Sequence, residues 1–65
     1  MCESTVYLLE GGKRSKVMDE AAKVAVVGAN VTVTSLSGER KTVENAELAE
    51  ADLMRHEIVL RPRKS

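Results

Sequence analysis

Lys23-Val24-Ala25-Val26-Val27-Gly28-Ala29-Asn30-Val31-Thr32-Val33-Thr34 is the stretch on which the fold turns. Val24 and Val26 flank Ala25, while Val31 and Val33 alternate with Thr32 and Thr34. Period two in β-branched residues belongs to strands, where a side chain branched at Cβ packs well on a pleated surface. Between the two runs, Gly28-Ala29-Asn30 supplies residues that tolerate positive φ, so the chain can turn back as an antiparallel hairpin. A helix over Asp19–Val27, capped by Asp19 and ended by Gly28, is the competing reading. Three valines in the four residues Val24–Val27 oppose it, because branched side chains lose χ1 freedom in a helix.

The same pattern extends outward. Val6 and Leu8 flank Tyr7, and Ile58 and Leu60 flank Val59. Gly11–Gly12 and Ser37–Gly38 are further turns. Strands are expected near Ser4–Leu9, Lys16–Met18, Lys23–Val27, Val31–Leu36, Glu39–Val43 and Glu57–Leu60. The expected fold is all-β: a small antiparallel β-barrel or sandwich of about six short strands. One segment departs from it. In Glu44–Met54, the residues Ala46, Glu47, Leu48, Ala49, Glu50 and Ala51 are strong helix formers. With Asn45 as cap, they predict a short helical turn covering one end of the barrel. Ala22–Val27 is apolar or small on both faces, which implies burial on both. In so small a domain the second face is expected against another subunit. Pro62 ends the hydrogen bonding of the last strand, and Arg61–Ser65 is a polar tail.

Sixty-five residues predict a single domain, 1–65. A core of this size contributes about 3–5 kcal/mol net, so such domains often add disulfides, a metal or a partner chain. One cysteine rules out an internal disulfide. Ten basic and ten acidic residues cancel, so no overall field draws the protein to nucleic acid or membrane. No apolar run approaches the ~20 residues of a membrane span. The opening residues lack the pattern of a signal peptide, and the cytoplasm is the expected compartment. With Tyr7 the one aromatic residue, the core must be aliphatic.

Cys2 is the candidate site. Its thiolate lies next to a backbone amine, its own if Met1 is removed and that of Met1 otherwise. Sulfur with strong nitrogen donors in a plane suits Ni(II) or Cu(II) better than tetrahedral Zn(II). One chain has too few obvious ligands. Two Cys2 termini at a homodimer interface would supply two sulfurs and two nitrogens, enough for a square plane around one Ni(II). Cys2 also fits a second reading, as a small apolar residue of the first strand.

Other features have plainer readings. His56, the single histidine, fits a surface or hydrogen-bonded residue better than a ligand, and Cys-x-x-Cys and His-x-x-x-His patterns are absent. Asp19–Glu20 and the group Glu44, Glu47, Glu50 and Asp52 fit solvated faces better than acid–base pairs, which need a cleft. No nucleophile–base set and no phosphate-binding glycine loop is present, so no enzyme is expected. Lys13, Arg14, Lys16, Arg40, Lys41, Arg55, Arg61, Arg63 and Lys64 leave an alternative function open, a small RNA-binding module using basic strand edges. The lack of stacking aromatics argues against nucleic acid.

Taken in order, Met1–Cys2, Thr5–Leu9, Val17-Met18-Asp19-Glu20, Leu36-Ser37-Gly38-Glu39, Ala51-Asp52-Leu53 and His56-Glu57-Ile58-Val59-Leu60 resemble the CooT family over nearly the whole chain. The resemblance implies a dimeric β-barrel-like protein and a nickel-binding, metallochaperone-like accessory role in maturing carbon monoxide dehydrogenase. It also implies Cys2 as the key ligand. Relatives have been described as predicted RNA-binding proteins on fold grounds, a weak guide to function.

Overall fold

The computed structural model describes residues 3–63. Six strands form one sheet: β1 (Ser4–Glu10), β2 (Lys13–Val27), β3 (Asn30–Ser35), β4 (Arg40–Val43), β5 (Ala46–Asp52) and β6 (Glu57–Pro62). Their order is β4-β3-β2-β1-β6-β5. The Lys23–Thr34 stretch forms the β2–β3 hairpin, with Val24 opposite Val33, Val26 opposite Val31 and Val27 opposite Asn30. Gly28, the first loop residue, has φ 60°, the geometry of a type II′ turn. The competing helix over Asp19–Val27 does not form. Pairing as a strand lets Val31 and Val33 be buried completely.

The segments Lys16–Met18 and Lys23–Val27, expected as two strands, are parts of the single fifteen-residue strand β2. Its first part, to Ala21, pairs with β1, and the part from Ala21 to Val27 pairs with β3. Register shifts in these pairings leave an extra residue on β2 at three places: at Val17, at Asp19–Glu20 opposite Thr5, and at Ala22. Such bulges bend a strand and increase its twist. One strand therefore serves both halves of the sheet.

A second departure is the parallel pairing of β1 with β6, Val6 beside Ile58 and Leu8 beside Leu60. The other pairings are antiparallel, as expected. The third is the Glu44–Met54 segment, where strand β5 replaces the predicted helical turn. An isolated helix of this length is marginal in water. As a strand, the segment instead sets Leu48 against Leu60 and Ala51 against Ile58, and it buries Ala46. Asn45 is a turn residue with φ 56°, not a helix cap.

The connection from β4 to β5 sets the shape. β4 and β5 are opposite edges of the sheet, yet only Glu44 and Asn45 link them. Three Cα–Cα steps span at most about 11 Å, whereas five strand spacings in a flat sheet come to about 24 Å. The sheet must curl until its edges approach. At the meeting point Ala46 N donates to Ala29 O (2.9 Å) and Asn45 N to Asn30 Oδ1 (3.1 Å). The result is a half-barrel. Inside it, Val6, Met18, Ala21, Val31, Val33, Ala46 and Leu60 form the buried cluster, packed by Leu8, Val17, Val24, Val43 and Ile58. Lys41 sits opposite Val33 on edge strand β4, and its Nζ donates to the Val17 carbonyl (3.0 Å). An inward-turned lysine on an edge strand discourages pairing with other chains.

The β1–β2 turn yields a first prediction. Gly11 and Gly12 have φ 60° and 80°, as a type I′ turn requires. A Cβ at Gly12 would meet nothing within 4 Å, so the cost of Gly12→Ala is backbone strain alone. It is expected to be about 1 kcal/mol, a fall of about 4–8 °C in Tm by calorimetry.

Candidate metal centre

Strand β1 begins at Ser4, two residues after Cys2, and enters the sheet between two unusual backbones. Ser4 is opposite Ala21 of β2, and Thr5 is opposite Glu57 of β6. The residues just before those partners, Glu20 and His56, have φ 54° and 57°. Non-glycine residues are uncommon in this region. Both carbonyls are engaged: Thr5 N donates to His56 O (2.9 Å), and Leu36 N donates to Glu20 O (3.0 Å). The left-handed residues therefore aim backbone acceptors that seat β1 and the β3–β4 turn. His56 acts here through its main chain, and its side chain is exposed. Beside it in the β5–β6 turn, Leu53 and Met54 are also exposed, Met54 to 91%.

Met1 and Cys2, the expected ligands, lie outside the described residues. Among the described residues, no three of His, Cys, Asp and Glu are grouped to hold a metal ion. Asp19 is exposed, with Lys16 Nζ at 3.3 Å from its carboxylate. Asp52 Oδ1 accepts from Arg55 N (3.0 Å) and so shapes the β5–β6 turn. No described polar or charged side chain is buried, so the core offers no desolvated acid or base.

Two further basic residues are held in ion pairs. Arg14 donates to Glu57 (3.3 Å), and its guanidinium stacks on Tyr7, 4.3 Å from the ring centroid. Arg61 pairs with Glu47. Arg14 thus covers a face of the chain's one aromatic ring, the natural platform for a stacked base. The positions of Lys41 and Arg14 were not visible in the sequence, since each depends on pairing between distant strands.

No helix of the described residues is long and apolar enough to cross a membrane. No curated protein matches this chain. Among solved structures, that of a protein assigned as a CooT from Carboxydothermus hydrogenoformans superimposes with a TM-score of 0.85 at 21% identity. The match covers 97% of this chain and 100% of that one, and at this identity it shows a shared fold. A family model described as CO dehydrogenase accessory protein CooT matches residues 1–61, including Met1 and Cys2. With nearly its whole length matched, the chain belongs to the CooT family of CO dehydrogenase accessory proteins.

Proposed function

We propose that this CooT-family chain is a cytoplasmic, non-catalytic nickel carrier, a single domain over residues 1–65 that works as a homodimer. Ni(II) is its cargo, held by Cys2 and N-terminal backbone nitrogen from each of two chains, and CO dehydrogenase is the client. The observation that carries the reading is the family match, which runs through Met1 and Cys2. The donor chemistry supports it, since thiolate and backbone nitrogen favour a square-planar ion. The described residues offer no competing ligand cluster. Exposed Val26 (56%) and Val27 (63%) at the tip of the β2–β3 hairpin are apolar surface that a second copy would cover. The RNA-binding alternative has less support, given Arg14 over Tyr7 and the cancelling charge.

Titrating tag-free protein with Ni(II), followed by absorbance, tests the reading. The expected result is a thiolate-to-nickel charge-transfer band that saturates at one Ni(II) per two chains, with a dimer in sedimentation. Because the ligands must lose protons to bind, apparent affinity should fall as pH is lowered. A monomer with no such band under saturating Ni(II) would refute the proposal.

A further inference from the structure

The acidic group that the sequence suggested for a helix occupies an edge strand instead. In β5, Glu47 is opposite Arg61, Glu50 opposite Val59 and Asp52 opposite Glu57. Positions 57, 59 and 61 alternate along β6 and so share one face of the sheet. Glu47, Glu50 and Asp52 therefore share it too. Glu47 and Glu50 are three residues apart, a spacing that would put them on opposite faces of a regular strand. The register shift between Leu48 and Glu50 returns them to the same side. The other face carries Leu48 and Ala51, opposite Leu60 and Ile58, and Leu48 remains 47% exposed.

The two sheet edges are not equivalent. β4 is four residues long, basic at Arg40 and Lys41, and tied inward by Lys41. β5 is seven residues long and pairs along β6. Beyond Ala46, no other described strand pairs with β5. An edge strand presents backbone N–H and C=O groups to any chain able to continue the sheet. Its side chains select the partner. Two β5 strands laid edge to edge would bring carboxylate rows together, and like charges opposite one another are unfavourable. A lysine- or arginine-bearing strand would meet the row with opposite charge.

We propose that the free edge of β5 is a docking site for an extended, basic peptide segment of another protein, which adds a seventh strand to the sheet. Backbone hydrogen bonds supply the pairing, Glu50, the exposed carboxylate of the row, leads the charge preference while Glu47 is held by Arg61 and Asp52 by the Arg55 amide, and Leu48 offers apolar contact on the other side. The site shares no residue with the proposed nickel ligands and is tested without metal.

The test uses metal-free, full-length protein and two end-blocked eight-residue peptides, one alternating lysine with threonine and the other glutamate with threonine. Amide NMR spectra and hydrogen exchange are the readouts. Expected results are shifts centred on β5 and added exchange protection of its amides with the lysine peptide, weakening as salt is raised. Glu50→Lys, at an exposed residue, should weaken binding about fivefold or more, and Glu50→Gln by less. Circular dichroism of both variants checks that they fold. Equal binding of the two peptides, no lysine-peptide binding at millimolar concentration, or no effect of Glu50→Lys would overturn the proposal. So would β5 protection that grows with protein concentration in the absence of peptide, since a second copy would then hold the edge.

Discussion

Cys2→Ser is expected to lower the affinity for Ni(II) by about a hundredfold or more and to abolish the charge-transfer band. Residues that merely orient a metal ligand are worth about 10–100-fold in affinity, so a direct ligand should exceed that range. A serine hydroxyl keeps its proton at neutral pH and is a harder donor than thiolate, so it replaces neither the charge nor the softness of sulfur. His56→Ala is the matched control. The His56 backbone carbonyl holds Thr5 N, and that bond does not need the imidazole. Most nickel affinity should therefore survive, although alanine tolerates the left-handed backbone at 56 less well than histidine. An uncleaved N-terminal tag should also weaken binding, though it leaves the thiolate in place, because it converts the terminal amine into an amide. Isothermal titration of the four proteins compares them directly. If Cys2→Ser binds as tightly as the parent, the N-terminal site is wrong.

How much of this was legible in the sequence depended on whether the signal was local. β1, β3 and β6 keep the two-residue period, and their valines and leucines marked them out. The glycine turns were equally clear, because a type I′ or II′ turn states its demand for positive φ within two residues. β2 was split in two because extra residues at Val17, Asp19–Glu20 and Ala22 break its period. β5 was misread because alanine, glutamate and leucine favour helix locally, while burial of Ala46 and pairing with Leu60 and Ile58 favour strand. Tertiary packing overrides propensity of this size. The parallel β1–β6 pairing had no local signature. The same division applies to function. The proposal at Cys2 rests on local chemistry that the sequence states outright, whereas the acidic row on β5 appears only once the register of β6 and the bulge are known.

The core should respond most strongly at Leu60. This side chain is fully buried. It lies on β6, between β1 and β5, beside Leu8 on one strand and Leu48 on the other. With neighbours bonded on both sides, the backbone cannot move inward to fill a void left by truncation. Leu60→Ala is therefore expected to cost about 2–5 kcal/mol. A chain this short holds only about 3–5 kcal/mol from its core, so the variant should be largely unfolded at 25 °C unless a partner or metal adds stability. Leu53→Ala removes the same atoms from a turn where the side chain is 77% exposed, and should change stability by less than about 0.5 kcal/mol. Urea unfolding followed by circular dichroism, at one protein concentration and without metal, separates the two. If Leu60→Ala unfolds at the urea midpoint of the parent, Leu60 does not sit at the centre of the half-barrel. If adding Ni(II) restores folding to Leu60→Ala but not to the double variant with Cys2→Ser, the missing stability is being supplied through the N-terminus, because a ligand that binds only the folded state stabilises it by mass action.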